Sequence, residues 1–183
     1  MAKHTIRIGV LAELRPPVTR WGKPALRPIA ILPAEPATPP HTRLTTIDGV
    51  ETWYLGARDL LFHSGDTGHH LDNLNGAHPS VWVALRGTEP GAAELVAVTV
   101  DPYEGEGLAG DLALTVEAVP MPAPIAAELA AFVQAHHVEV PFKKRKRSPQ
   151  DPNAAAAPAP RILPGDQGWI ARQGRTGEDG GRG

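Results

Sequence analysis

Short runs in which apolar and polar residues alternate dominate the first 120 residues of the chain. Alternation with a period of two residues is typical of a half-buried β-strand, because successive side chains point to opposite faces. Twenty prolines and nineteen glycines punctuate the chain and leave little room for long helices. The pattern predicts eight strands, at residues 5–14, 27–33, 42–48, 51–57, 59–64, 80–86, 94–101 and 112–120.

The spacing of these predicted strands indicates the fold class. One strand in about every ten to fifteen residues favours antiparallel pairing over alternating strands and helices. Asp48 and Gly49 lie between two of the runs and predict a hairpin, because both residues tolerate a positive φ. We therefore predict a mainly β fold, either an antiparallel sandwich or a partly open small barrel.

One segment, residues 124–138, has the pattern of an α-helix. Ile125, Leu129, Phe132 and His136 recur at helical intervals, and a proline at position 124 is tolerated in a first turn. The apolar stripe is narrow, so docking on the sheet must supply most of the stability of this helix. Residues 1–142 are therefore predicted to form one β-rich domain that ends with the helix.

The composition changes after Phe142, where a basic block at residues 143–147 opens an Ala/Pro-rich and then Gly/Arg-rich sequence. Residues 1–142 carry nine Lys and Arg against sixteen Asp and Glu, whereas residues 143–183 carry nine against four. Residues 143–183 have too few apolar side chains to offset the entropy lost on ordering, which predicts that this tail is disordered. An acidic body with a basic arm indicates that the arm contacts any anionic partner.

Several classes of function are disfavoured by what the sequence lacks. The chain has no cysteine, which excludes disulfides, thiolate metal sites and a cysteine nucleophile. It contains no nucleophile-elbow, P-loop or dinucleotide-binding motif. The apolar run near the N-terminus is short and interrupted by Arg7, unlike a signal peptide or a membrane span. We predict a cytoplasmic protein that is not an enzyme, has no cofactor and does not contact a membrane.

Four histidines within residues 63–78 are the candidates for a metal site. They are suitable ligand types, but their spacing matches no known metal motif. In a strand, neighbouring histidines point to opposite faces. Polar turn residues between two strands are the simpler interpretation, so no metal site is predicted. The four candidate ligands are His63, His69, His70 and His78.

A second polar segment, residues 101–111, contains the acids Asp101, Glu104, Glu106 and Asp111 together with three glycines. Acid–base chemistry is one interpretation of these carboxylates. A solvated acidic turn explains them more simply, and loop flexibility explains the glycines.

The basic block has three interpretations: binding to the phosphates of RNA or DNA, docking on an acidic protein surface, or a solvated end of the helix. The acidic body argues against a dedicated nucleic-acid-binding protein, which normally has a basic face on the fold itself. The predicted contact residues are Phe142 as an apolar anchor, the cations Lys143, Lys144, Arg145, Lys146 and Arg147, and His137 as a polar contact.

Four segments in this order resemble an uncharacterised bacterial family of domain-of-unknown-function proteins. They are "RPIAILP", "PSVWVALR", "VTVDPYE" and "VEAVPMPAPIAAELAAFVQAHHVEVPFKKRKR", and the last is the most specific. The resemblance extends from about Ile6 to Arg147, and Leu26 departs from it where the family usually has an aromatic residue. Genes of this family commonly lie beside those of molybdenum formate dehydrogenases and their maturation factors, and no catalytic residues are established for it.

The resemblance implies a cytoplasmic accessory role in making or assembling a formate dehydrogenase. The predicted partner of the basic arm is then a formate dehydrogenase subunit or a maturation factor. A nucleic-acid-binding protein that uses the same block with Trp21 is the alternative, and a metal-dependent enzyme built on the four histidines is a third class. The sequence leaves the oligomeric state open, including a homodimer.

Overall fold

The computed structural model describes residues 1–17 and 19–138. This part of the chain contains seven strands and three α-helices, with a single 3-10 turn at Ser64–Asp66. The strands are β1 (Lys3–Arg15), β2 (Ala25–Leu32), β3 (Thr42–Ile47), β4 (Val50–His63), β5 (Ser80–Arg86), β6 (Glu94–Thr99) and β7 (Leu114–Pro120). The helices are α1 (Thr67–Asn75), α2 (Pro102–Ala109) and α3 (Ala123–His136).

The strands form two antiparallel sheets that do not close into a barrel. The first sheet has the order β2-β1-β4-β3 and the second has the order β6-β5-β7. Strand β2 contacts β7, and β4 contacts β6, so the sheets pack on each other. The predictions of a mainly β antiparallel fold and of a C-terminal helix are confirmed. The tail predicted to be disordered lies outside the described residues.

One hydrophobic core is shared by both sheets and by α3. Alternate residues of β1 and of β5 are fully buried, which is the period-two pattern seen in the sequence. Burying one such aliphatic side chain contributes about 1.5–3 kcal/mol. Helix α3 adds three of its stripe residues, which docks it on this core. The alternating core residues are Ile8, Val10, Ala12, Val81, Val83 and Leu85, and those from α3 are Ile125, Leu129 and Phe132.

Strand β4 corrects the sequence prediction, because it joins two segments that were predicted as separate strands. The register along β1 shifts where Val10 faces Gly56 and Leu11 faces Tyr54, so that Leu55 is the extra residue of a β-bulge. Gly56 has a φ of 132°, a backbone conformation that side-chain-bearing residues rarely adopt. The bulge lets consecutive residues, Tyr54 and Leu55, both be buried.

The predicted hairpin between β3 and β4 is confirmed. Asp48 and Gly49 have φ values of 50° and 79°, and Ile47 pairs with Val50 across the turn. Two positive φ values in a two-residue loop are typical of a turn whose twist matches that of the flanking strands.

The prediction of a single helix was wrong, since α1 and α2 occupy segments interpreted as polar turns. In α1 the buried positions are Thr67, His70 and Asn73, which recur every three residues but are polar. A helical period is hard to detect when polar residues fill its buried positions. Helix α2 begins at an Asp-Pro pair, with Asp101 as the N-cap residue and Pro102 in the first turn.

Helix α2 lies against the face of β5 that points away from the shared core. A Cβ atom added to Gly105 would clash with Cγ of Trp82. The absence of a side chain at position 105 is therefore what allows the helix to approach the indole ring. Among the described residues, no helix is long and apolar enough to cross a membrane.

Candidate functional site

The N-terminal ends of α1 and α2 bring three ionisable side chains together. His69, in the first turn of α1, donates a hydrogen bond from Nδ1 to Oδ2 of Asp101 over 2.7 Å. The other carboxylate oxygen, Oδ1, accepts the backbone N–H of Tyr103 at 2.8 Å and that of Glu104 at 3.4 Å. Asp101 therefore caps α2 with one oxygen and holds His69 with the other.

The backbone of Asp101 is fixed by Thr99, the last residue of β6. The Thr99 hydroxyl accepts the N–H of Asp101 at 3.0 Å and donates to the Glu104 carboxylate at 2.6 Å. This reciprocal arrangement between the N-cap region and the third residue of α2 resembles a capping box. Asp101 is thus positioned by the backbone of α2 and by the end of β6, independently of its contact with His69.

Asp66 is the third member of the group and precedes the first residue of α1. Its side chain makes no capping hydrogen bond to α1. One donor atom from each of Asp66, His69 and Asp101 lies within 4.8 Å of the others. The side chains of Asp66 and His69 are half-exposed, at 46% and 44%, and that of Asp101 is 14% exposed. We call these three residues the α1–α2 triad.

Contacts within the triad shift two pKa values in opposite directions. The hydrogen bond to Asp101 is the main cause that raises the pKa of His69 above its ordinary value. Burial opposes ionisation of Asp101, but the hydrogen bonds from His69, Tyr103 and Glu104 outweigh it and lower the pKa of this carboxyl. Both shifts favour a protonated imidazole beside an ionised carboxylate.

Tyr103 covers one side of His69. The two ring centroids are 4.4 Å apart, and the Tyr103 hydroxyl donates to Oδ2 of Asp72 at 3.3 Å. The negative charge of Asp72, together with this hydrogen bond, raises the pKa of Tyr103. The tyrosine is 55% exposed, so it forms a wall of the site without closing it.

The sequence segment that contains the triad has more acids than cations. Residues 59–138 contain eleven Asp and Glu and a single cation of the Lys or Arg type, Arg86. Within the described residues, Arg86 pairs with Glu94, and two arginines from earlier in the chain, Arg7 and Arg27, pair with Asp59 and Glu117. Asp66 and Asp101 have histidines as ion-pair partners. In the described part of the chain, the two carboxylates of the triad are therefore paired with histidines and not with Lys or Arg.

The four histidines that the sequence suggested do not converge on one point. His63 accepts the N–H of Gly65 at Nδ1 and lies 3.6 Å from Oδ2 of Asp66, while His78 is exposed. His70 is 2% exposed and packs near Phe62 and Phe132, and its Nδ1 has no hydrogen-bond partner among the described residues. Burial lowers the pKa of His70. Of the four, His69 is the histidine that joins the triad.

Of the predicted partner-binding residues, His137 is the one that the structure describes. Its Nδ1 lies 3.2 Å from the Thr67 hydroxyl, which links the end of α3 to the start of α1. The other predicted contacts, Phe142 and the cations at 143–147, lie outside the described residues. Helix α3 therefore ends beside the helix that carries Asp66 and His69 at its start.

Two surface features flank the sheets. Trp21 is 82% exposed in the loop between β1 and β2, and the guanidinium of Arg20 lies 4.5 Å from the centroid of its ring. A depression of about 320 Å³ is lined by His4, Glu128, Ala131 and Phe132.

Sequence reasoning did not find the pairing of His69 with Asp101. The residues are 32 positions apart, and no short-range pattern links them. One local signal was present, because Asp101, Pro102 and Glu104 together have the form of a helix N-terminus. Had α2 been predicted from that signal, Asp101 would have been assigned to a helix cap instead of a solvated turn.

Comparison with known proteins identifies a family and no individual relative. No curated protein and no solved structure matches the chain. A family model described as "Protein of unknown function (DUF3305)" matches residues 7–146, which is more than half of the 183 residues. That match includes both sheets except the first four residues of β1, the α1–α2 triad and all but the last residue of the basic block. The chain therefore belongs to the DUF3305 family of proteins of unknown function.

Proposed function

We propose that the protein is a non-enzymatic accessory protein that binds a protein partner through its basic block at residues 143–147. The observation that carries this proposal is the separation of charge along the chain. Residues 59–138 hold eleven acids and one arginine, and five consecutive cations follow shortly afterwards. Such a cluster forms charge-assisted hydrogen bonds with carboxylates, and arginine can bind a carboxylate with two parallel bonds.

An acidic protein surface is a better partner for this block than a nucleic acid. A polyanion approaching residues 143–147 also approaches a domain in which acids outnumber cations by fifteen to nine over residues 1–138. Nucleic-acid-binding domains normally have a basic face that continues along the fold. A partner with a local acidic patch needs to contact the block alone.

The proposed setting is the maturation or assembly of a molybdenum formate dehydrogenase. Support comes from the resemblance of residues 6–147 to a family whose genes commonly lie beside those of such enzymes and their maturation factors. The chain has no cysteine, so thiolate chemistry toward a metal or sulfur must be supplied by a partner. The partner is proposed to be a formate dehydrogenase subunit or a maturation factor held during cofactor insertion.

A complementation experiment tests this proposal. A strain that lacks the gene is supplied with the intact chain or with a variant in which Lys143, Lys144, Arg145, Lys146 and Arg147 are all changed to Ser. The matched control changes four tail arginines outside the family match, at positions 161, 172, 175 and 182, to Ser. We expect formate dehydrogenase activity in extracts to fall with the block variant and to be retained with the control, at equal levels of both proteins. Wild-type activity with the block variant would contradict the proposal.

Nucleic-acid binding is retained as a second candidate because Trp21 is exposed and contacts Arg20. Exposed aromatic rings stack on unpaired bases, and basic residues bind the phosphates. This function predicts that single-stranded RNA binds the purified chain with an affinity that falls steeply with salt, and that Trp21→Ala weakens it. Weak binding that does not depend on Trp21 would exclude this candidate.

A further inference from the structure

We propose that Asp66, His69 and Asp101 form a binding site for a divalent first-row transition-metal ion. The site is independent of the basic block and of the partner proposed above. Its donor set is one imidazole nitrogen and two carboxylate oxygens, drawn from the start of α1 and the cap of α2. Imidazole suits zinc, iron and nickel, and carboxylates suit manganese, so this mixed set favours ions of the Mn²⁺ to Zn²⁺ series.

The separation of the donor atoms is close to what a bound ion requires. Two donors that each lie about 2.0–2.2 Å from one ion are at most about 4.4 Å apart. The triad offers three donors within 4.8 Å of one another. The side chains of Asp66 and His69 are half-exposed. Their rotation can therefore bring the three donor atoms within about 4.4 Å of one another without moving a helix.

Asp101 is already held in place for binding. Its Oδ1 accepts the N–H groups of Tyr103 and Glu104, which leaves Oδ2 directed toward His69 at 2.7 Å. Binding of a metal ion releases the proton that these two atoms share and uses both atoms as ligands, after His69 turns slightly away from Asp101 to make room for the ion. Ligands that are held by bonds to neighbouring groups lose less entropy on binding, which is the usual role of outer-shell hydrogen bonds at metal sites.

Within the part of the chain that the structure describes, Asp66 makes no short contact that would compete with a metal ion. It stands at the N-terminal side of α1 but makes no capping hydrogen bond to that helix. Its nearest ionic neighbour among the described residues is His63, at 3.6 Å, beyond hydrogen-bond distance. Binding an ion therefore costs Asp66 no strong contact.

The surrounding charge provides a second, independent argument. Among the described ion pairs, neither Asp66 nor Asp101 is paired with Lys or Arg, since their partners are His63 and His69. Asp72 and Glu104 contact Tyr103 and Thr99, which adjoin the triad. A site with this excess of carboxylates attracts cations, and a divalent ion compensates two charges at once.

The test uses the full-length chain without an affinity tag, treated with a chelator and then titrated calorimetrically with ZnCl₂, CoCl₂ and MnCl₂ alone. We expect one ion to bind per chain and thermal stability to rise with the metal concentration. His69→Gln and Asp66→Asn should each weaken binding by about tenfold or more. Asp101→Asn should do the same while it keeps the cap of α2, because its remaining oxygen can still accept the backbone N–H groups.

His78→Gln is the matched control, since His78 is exposed and is not one of the triad. Its metal affinity should equal that of the wild type, and circular dichroism of each metal-free variant checks that it is folded. The proposal is overturned if the folded wild type binds none of the three ions. It is also overturned if binding survives in both His69→Gln and Asp66→Asn, or is lost equally in His78→Gln.

Discussion

The carboxylate of Asp101 accepts a hydrogen bond from His69 over 2.7 Å while its other oxygen caps α2. One side chain therefore fixes the start of α2 and joins it to the first turn of α1. The two helices are the elements that the sequence pattern did not predict, and the contact between them forms the candidate site. A substitution at Asp101 that removes both roles and one that keeps the cap should therefore lower the stability of the protein by different amounts.

Asp101→Ala removes both the cap and the partner of His69, whereas Asp101→Asn keeps an oxygen for the cap. We expect the alanine variant to lose about 1 kcal/mol of unfolding free energy through the cap alone. The asparagine variant should lose less, because the ion pair with half-exposed His69 is screened by solvent. Urea unfolding followed by tryptophan fluorescence measures both. Equal losses in the two variants would show that Asp101 does not cap α2.

Gly105→Ala should destabilise the protein, because the new Cβ would clash with Cγ of Trp82. The helix must then move away from β5, at a cost of about 1–3 kcal/mol typical of overpacking. Gly107→Ala is the control in the same helix, since a Cβ there meets nothing within 4 Å. It should leave stability unchanged or raise it by up to about 1 kcal/mol through helix propensity. A tolerated Gly105→Ala would mean that α2 does not pack on Trp82 as described.

Asn73→Ala should strongly destabilise the protein, because Asn73 is buried in α1 and bonds to backbone groups of other elements. The buried amide of Asn73 donates to the carbonyls of Ser80 and Val100 and accepts the N–H of Ser80. Its removal leaves three backbone groups unpaired, and we expect a loss of about 3 kcal/mol or more of unfolding free energy. Asn75→Ala, at an exposed position of the same helix, should change stability by less than about 0.5 kcal/mol. A similar result for both variants would argue against this network.

Tyr54 should titrate above the ordinary tyrosine range, because burial raises the pKa of its hydroxyl. The chain has two tyrosines, so in a Tyr103→Phe background the ultraviolet absorbance of tyrosinate reports Tyr54 alone. Above about pH 10 the unfolded state loses this proton before the folded state does, so the unfolding free energy falls as the pH rises. Tyr54→Phe in the same background should lose less stability between about pH 9 and 11. Ordinary titration near pH 10 by the folded protein would contradict the burial of Tyr54.

The strands were predictable because their pattern arises directly from burial. Strand β5 was predicted at its observed bounds, and β1 within two residues, since alternate residues such as Val81 and Val83 enter the core. Strand β4 was predicted as two strands separated at Arg58, whereas its irregularity is the bulge at Leu55, three residues earlier, where an extra residue interrupts the period of two.

Helices α1 and α2 were not predictable from hydrophobicity. In α1 the buried positions carry polar residues, and Asn73 is buried because of hydrogen bonds to strands that only the fold brings near. In α2, Gly105 and Gly107 lower helix propensity. Glycine is needed at position 105 because a side chain there would clash with Trp82. The triad depends on both helices, so its geometry could not be predicted from the sequence pattern.

The central claim, that the basic block binds a protein partner, is tested most directly by affinity purification from the native host grown with formate and molybdate. The baits are the intact chain and the variant with all five cations of residues 143–147 changed to Ser. The account predicts that formate dehydrogenase subunits or maturation factors are recovered with the intact bait and not with the variant. Recovery of the same proteins with both baits, or of nucleic acid alone with the intact bait, would contradict it.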